Sequence, residues 1–309
     1  MPRLRPINEW TVSTFDDRPG LYILNDVIEN YAQLKWLNRC LLEYPEPPNI
    51  TNASVEGFYE GENVWRTVGN QKLRWVTLGN HYNWSSKEYE KRPRFSLPTE
   101  LVEIARIFSK LLGLKEMKSD AAIVNYYPEK ATLSPHVDRS ERDHSCPLIS
   151  ISFGQSAVYL TGGPSLDDPV EALMLHSGDV LVMDGDQRLV YHAVPKIVKA
   201  KQFTEEEREL AGVDKSILTY ANSNRVNITI RQLEEKKLAE ISLESCMCIR
   251  THTYRGSSTK EKYSKRTFLR AWILSPVREH KTGCVLPGAR SSSPTDPIRL
   301  DPPTHSGDY

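Results

Sequence analysis

The chain is poor in the features that mark special protein classes. Its five cysteines (Cys40, Cys146, Cys246, Cys248 and Cys284) are few, odd in number and scattered, with no C-x-x-C pair. Neither a zinc ribbon nor a disulfide framework is indicated. Such cysteine usage suits a reducing compartment, so an intracellular location is expected: nucleus, cytoplasm or mitochondrion. No apolar stretch approaches the ~18–20 residues of a membrane-spanning helix, and no membrane association is expected. Net charge is absent too, with 40 basic against 40 acidic residues, which excludes a histone-like polycation. The opening Met1-Pro-Arg-Leu-Arg-Pro6 has no apolar run, so no secretory leader is expected.

What is present is ordinary for a globular protein: 39% apolar and 26% charged residues. At 309 residues the chain can bury a sizeable core, and one catalytic-size domain with an appendage is the default reading. Charge is uneven along it. Residues 1–233 carry 27 Lys and Arg against 31 Asp and Glu, whereas 234–309 carry 13 against 9. Contact with nucleic acid would therefore come from local patches.

Residues 25–42 place Val27, Ile28, Tyr31, Leu34, Trp36, Leu37, Leu41 and Leu42 near helical spacing, and Pro45, Pro47 and Pro48 end the segment. A second helix is expected over 99–112, capped by Thr99 and stopped by Gly113, with Leu101, Ile104, Ala105, Phe108, Leu111 and Leu112 inward. After residue 120 short β-rich runs follow: 121–127, 148–153, 157–160, 180–183, 191–198 and 226–230, several of them separated by Gly-rich turns. That texture predicts a sandwich or barrel rather than a parallel α/β sheet. The charged stretch 199–216 reads as an inserted surface loop or short helix. The division expected is 1–120 as an N-terminal helical region, 121–233 as a β core, and 234–309 as a basic, largely disordered tail, in which Phe268, Trp272 and Leu274 form the one apolar cluster.

Three sets of residues could carry chemistry. His136-Val137-Asp138 would point an imidazole and a carboxylate to one side of an extended strand, where they could bite one cation. With 8 His and 15 Asp in the chain, about 0.4 such pairs arise by chance, so alone the pair also fits a surface turn. His192, in a later β-rich run, supplies a third candidate. Two His and one carboxylate form the ligand set of non-haem Fe(II) oxygenases, and zinc would accept it as well. The run Arg225-Val-Asn-Ile-Thr-Ile-Arg231 alternates strictly, with Val226, Ile228 and Ile230 on one face and Arg225, Asn227, Thr229 and Arg231 on the other. This is either a half-exposed strand or two guanidinium groups facing a barrel interior, where a small dicarboxylate would pair them. Asn125 and Tyr127 share a strand face and could hydrogen-bond the same acid.

Together Asn125-x-Tyr127, His136-x-Asp138, His192 and Arg225-x-Asn227-x-Thr229-x-Arg231 resemble the AlkB family of Fe(II)/2-oxoglutarate dioxygenases. The segments Leu73-Arg-Trp-Val-Thr-Leu-Gly79, His81-Tyr-Asn-Trp84, His136-Val-Asp-Arg-Ser-Glu-Arg-Asp-His144, Ser152-Phe-Gly-Gln-Ser-Ala157, His176-Ser-Gly-Asp179 and His192-Ala-Val-Pro195 resemble its eukaryotic subfamily, AlkB homologue one. The resemblance covers roughly residues 15–233. It implies a fold that is α+β but mainly β: a double-stranded β-helix (jelly-roll) core with N-terminal helices and a nucleotide-recognition region. It implies Fe(II) on His136, Asp138 and His192, with 2-oxoglutarate and O2 as co-substrates. Arg225 and Tyr127 would hold the distal carboxylate of 2-oxoglutarate. Asn125, Asn227, Thr229 and Arg231 would complete that site, with Arg231 also beside Asp138 in the catalytic set. The expected reaction is oxidation of methylated bases in nucleic acid: N1-methyladenine and 5-methylcytosine in tRNA first, with N6-methyladenine or alkylated bases in DNA as the alternative. No obligate protein partner is implied.

Residues 65–95 hold seven Lys and Arg, two acids and six aromatics, among them Trp75, Tyr82 and Trp84. Aromatic faces stack bases and cations meet phosphates, so this reads as a lid for tRNA or unpaired DNA, unless its tryptophans simply fill the core. Trp75, His81 and Tyr82 are the expected base contacts. Other classes stay open: a metal-binding cupin, which would not need two inward arginines; a silent nucleic-acid-binding module, which would lack a ligand; and an abasic-site lyase, for which no lysine stands out.

Overall fold

A computed structural model describes residues 3–69, 72–91 and 95–234, and the backbone of 250–254. In chain order the elements are β1 (Thr11–Phe15), β2 (Leu21–Asn25), α1 (Asn30–Leu42), β3 (Ile50–Thr51), α2 (Asn52–Val55), α3 (Val64–Val68), β4 (Trp75–Gly79), β5 (Tyr82–Asn83), β6 (Glu88–Tyr89) and α4 (Thr99–Leu111). Then follow β7 (Ala121–Tyr127), β8 (Leu133–His136), β9 (Leu148–Gly154), β10 (Ser156–Thr161), β11 (Glu171–Leu175), β12 (Val180–Met183) and β13 (His192–Val198). The last are α5 (Glu205–Ala211), α6 (Lys215–Ala221), β14 (Arg225–Arg231) and β15 (Arg250–Tyr254).

Among the described residues these strands build a nine-stranded sheet in the order β15-β1-β2-β12-β9-β14-β7-β4-β3 and a four-stranded sheet in the order β11-β10-β13-β8. The strands alternate in side-chain direction, so each large-sheet strand feeds two cores. Val226, Ile228 and Ile230 of β14 join Val124, Ile149, Ile151 and Phe153 against α1, α4 and α6. On the other face Leu21, Ile23, Leu148, Leu181 and Met183 pack against Tyr159, Leu173, Leu175, Val194 and Ile197 of the small sheet. This is the expected mainly-β, two-sheet architecture. Among the described residues no helix is long and apolar enough to cross a membrane.

Several local expectations change. The boundary expected near residue 120 falls inside one sheet, because β1 to β4 hydrogen-bond into it. The helix expected over 25–42 begins only at Asn30: Asp26 adopts φ 45°, and Val27 and Ile28 enter the core, Ile28 bridging to Leu4, rather than forming a first turn. Thr99 does not cap α4; Pro98 occupies the cap position and no side-chain cap bond forms. Residues 199–216, expected as a surface loop or short helix, hold one short helix and the start of a second. Thr204 and Glu207 form a capping box that starts α5, Gly212 ends it in the left-handed region at φ 66°, and Asp214 caps α6. Of the expected tail, only Glu234 and β15 are described, the latter running parallel to β1 with Thr11 opposite Arg250. The apolar cluster at 268–274 lies outside the described residues.

Candidate active site

The polar face of β14 points into the space between the sheets. Every residue of β14 is buried, which excludes a half-exposed strand. Its neighbours set the site in rows. Asn227 lies opposite Asn125 of β7 and Ser152 of β9, and Asn125 lies opposite Trp75 of β4. Arg225 lies opposite Tyr127 and Gly154. Gly154 is required there: at φ 84° an added Cβ would sit 2.3 Å from the Asn224 carbonyl oxygen.

Across the cavity, β8 and β13 pair so that His136 lies opposite His192, and their rings are 4.3 Å apart. Asp138 is not in a strand. β8 ends at His136, and the carboxylate reaches the same point from the loop that follows. One ligand atom from each of His136, Asp138 and His192 lies within 4.8 Å of the others. The Nε2 atoms of His136 and His192 stand 4.0 and 3.7 Å from the Asp138 oxygens. Each Nδ1 faces a backbone carbonyl, Ser134 at 2.9 Å and Val190 at 3.2 Å. That contact fixes the proton on Nδ1 and leaves the Nε2 lone pair for a metal. Burial and the neighbouring His136 lower the pKa of His192 to about 4, so its ring is neutral at neutral pH. Burial alone would raise the Asp138 pKa, but Arg231, His192 and His136 hold it well below the usual carboxylate range. Two imidazoles and one carboxylate, with the remaining directions open to the cavity, suit Fe(II).

Asp138 is anchored by Arg231 within a network whose other members, Glu141 and Arg188, the sequence did not reveal. Arg231 Nη2 meets Asp138 at 2.7 Å, and its Nε meets Glu141 at 2.8 Å. Glu141 also pairs with Arg188 at 3.3 Å, and Arg188 Nη1 donates to the Asp138 carbonyl at 3.2 Å. Glu141 and Arg188 are both buried. Glu141 sits in the charged run Arg139–Asp143, which reads locally as surface, and only the fold turns it inward. Truncating Glu141 to alanine removes the carboxylate that faces buried Arg188 and one of the two that face Arg231, so a loss of about 3–5 kcal/mol is expected in denaturant unfolding. A cost under about 0.5 kcal/mol, the range of ordinary surface changes, would show the network to be incidental.

Arg225 is buried and faces no carboxylate at ion-pair distance among the described residues. Its Nη2 donates to Ser152 Oγ at 2.9 Å, and its guanidinium lies 5.0 Å from the Tyr127 ring centre. Its Nε and Nη1 have no hydrogen-bond partner among the described residues. Burial lowers its pKa and raises that of Tyr127, whose phenol therefore stays protonated as a donor. Two unpaired buried donors on one fork fit a carboxylate, and 2-oxoglutarate carries one at each end. Asn125 lines the same cavity. Asn227 and Thr229 line it too but are engaged: Asn227 donates to Ser150 Oγ at 2.6 Å and accepts from Thr229 at 2.9 Å.

The expected lid is partly solvent-facing. Arg66, Lys72, Arg74, Lys87 and Lys91 are exposed, while Arg92 and Arg94 lie outside the described residues. Trp65 is core, edge-on to Tyr220 at 5.9 Å. Of the expected base contacts, Trp75 and Tyr82 are half-buried, whereas His81 is buried with its Nδ1 2.8 Å from Thr77 Oγ1. The exposed indole is Trp84, 38% accessible, stacked on Trp75.

The comparisons with known proteins agree with this geometry. A family model described as the 2OG-Fe(II) oxygenase superfamily matches residues 20–231. The human nucleic acid dioxygenase ALKBH1 is 36% identical over 213 residues, 63% of this chain and 54% of that protein. The DNA N(6)-methyladenine demethylase ALKBH1A of Arabidopsis thaliana is 31% identical over 281 residues, 75% of this chain and 80% of that protein. The tRNA demethylase abh1 of Schizosaccharomyces pombe is 33% identical over 258 residues, 73% of this chain and 83% of that protein. The chain spans about half the length of the human and mouse relatives. A solved structure described as that of OsALKBH1, 24% identical, aligns over 70% of this chain and 97% of its own with a TM-score of 0.51, which speaks to the fold. Its motifs, its two-sheet architecture and the matched span agree: the chain belongs to the 2OG-Fe(II) oxygenase superfamily and, within it, to the AlkB homologue one family.

Proposed function

We propose that this protein is an Fe(II)- and 2-oxoglutarate-dependent dioxygenase that oxidises methylated bases in nucleic acid, with tRNA as its first substrate class. One observation carries the reading: a His, Asp, His cluster shares a cavity with an arginine fork whose Nε and Nη1 lack an acceptor among the described residues. His136, Asp138 and His192 would hold the metal. Arg225 would grip the distal carboxylate of 2-oxoglutarate, with the Tyr127 phenol donating beside it and Asn125 further along the wall. Arg231 would keep Asp138 ionised and aimed. Asn227 and Thr229 would brace the wall behind them. Loaded with Fe(II), 2-oxoglutarate and O2, such a centre hydroxylates a methyl group and releases succinate and CO2. A hydroxymethyl group on a ring nitrogen collapses to formaldehyde and the bare base, whereas one on carbon persists.

The Trp75 row leads from the cavity to an exposed aromatic and cationic surface, the combination that receives an unstacked base and its phosphates. A relative named for tRNA and another named for N6-methyladenine in DNA support nucleic acid and leave the base to experiment. Turnover on tRNA carrying N1-methyladenine, beside a single-stranded DNA carrying N6-methyladenine, separates them. Succinate formed in step with formaldehyde and loss of the tRNA methyl is the expected result. Succinate formed equally with and without either nucleic acid would contradict the substrate class.

A further inference from the structure

We propose that Trp84 is a built-in competitor for the aromatic face that receives the substrate base, displaced by a cationic, ring-methylated base and poorly by a neutral one. The proposal rests on the nucleic-acid reading above and adds a selection device to it. Trp75 lies in register with Asn125 and Asn227, so its indole belongs to the cavity side of the large sheet, at the end of the row nearest solvent. That face is already covered. The Trp84 ring stacks on it with centroids 3.6 Å apart and planes 22° apart, and Tyr82 stands edge-on to Trp84 at 4.9 Å. Two indoles stacked so directly forgo the offset or edge-on arrangement their quadrupoles prefer. The geometry is that of a base on a platform, with Trp84 in the place of the base.

Trp84 can leave that place cheaply. It sits at the tip of the β5–β6 hairpin, whose two strands of two residues bond to each other and to neither large sheet. Asn83 Oδ1 accepts from the Ser85 and Ser86 amides, so the turn is held by its own residues rather than by the core. Such a hairpin is marginal alone and can shift without unpairing a sheet. Trp84 is also 38% exposed, so water can take the released ring.

Exchange of one flat ring for another gains little, which holds back unmodified bases. A base methylated on a ring nitrogen that carries positive charge at neutral pH adds cation–π attraction to Trp75, and it no longer pairs well, so its extrusion costs less. N1-methyladenine meets both conditions; 5-methylcytosine is neutral and gains less.

The test uses the full chain without iron or 2-oxoglutarate, so that nothing turns over. Two short single-stranded oligonucleotides, one with a single N1-methyladenine and one with adenine there, are titrated against wild type, Trp84→Ala and Trp84→Phe by fluorescence anisotropy. Wild type is expected to prefer the methylated strand by about tenfold, the scale of one cation–π contact. Trp84→Ala should tighten the methylated strand several-fold and the adenine strand by no more than that, because the displacement cost disappears while the cation–π contact to Trp75 stays, with Trp84→Phe between. The Trp75–Trp84 exciton signal in circular dichroism should vanish when wild type is saturated with the methylated strand, as it does in Trp84→Ala. Weaker or unchanged binding of the methylated strand by Trp84→Ala, or an exciton signal that survives saturation, would overturn the proposal while leaving nucleic-acid binding intact. Failure of wild type to bind either strand would overturn both readings.

Discussion

Asp138→Ala is expected to abolish succinate formation. The substitution removes the one anionic donor of the cluster, and two imidazoles hold a ferrous ion weakly alone. Altering a residue that merely supports a metal ligand costs about 10–100-fold in affinity or activity, and loss of the ligand itself should exceed that range. Folding should survive, because Arg231 retains Glu141 at 2.8 Å and is not left without a counter-charge. The variant should therefore unfold cooperatively near the wild-type midpoint while binding no stoichiometric iron. Full turnover by it would refute the metal assignment.

Arg225 separates binding from chemistry. Arg225→Ala should raise the concentration of 2-oxoglutarate needed for half-maximal rate by about 10–150-fold, the equivalent of about 1.5–3 kcal/mol for hydrogen bonds to a charged group. The rate at saturating co-substrate should fall much less, since the metal ligands lie on β8, β13 and the loop after β8 rather than on β14. Lysine should rescue poorly, because an ammonium cannot copy the fork. The same residue makes a stability prediction of opposite sign. A buried guanidinium with Nε and Nη1 unpaired is a cost in the protein without co-substrate. Arg225→Met, similar in volume and without polar atoms, should leave that protein as stable as wild type or raise its denaturation midpoint, while impairing co-substrate use as alanine does. An unchanged 2-oxoglutarate requirement in either variant would refute the carboxylate clamp.

How much of this the sequence disclosed follows from the range of each signal. β7 and β12 coincide with the runs read from β-branched and apolar residues, because both strands are central and buried on both faces. The alternation of β14 was visible, but whether its polar face met water or a cavity was settled only by the sheets. β1, β2, β4, β8 and β11 were not anticipated, being short and, in β1, rich in Ser and Thr and, in β8, interrupted by Pro135, with little apolar contrast. His136, Asp138 and His192 were nameable because metal chemistry restricts residue types; that Asp138 arrives from a loop was not. Glu141 and Arg188 stayed hidden because their burial comes from one another and from Arg231, each distant in sequence. Trp84 was legible as one aromatic among several, while its stacking on Trp75 is a property of the hairpin's position.

The most direct measurement is an anaerobic titration of the full chain with Fe(II) followed by 2-oxoglutarate, watching for the visible charge-transfer absorption of a keto acid chelated to ferrous iron. One equivalent of iron, a band that grows with co-substrate, a rightward shift of that growth in Arg225→Ala and no band in Asp138→Ala are the predicted results. A wild-type protein that develops no band at any 2-oxoglutarate concentration, or a band of full strength in Asp138→Ala, would contradict the assignment of the site.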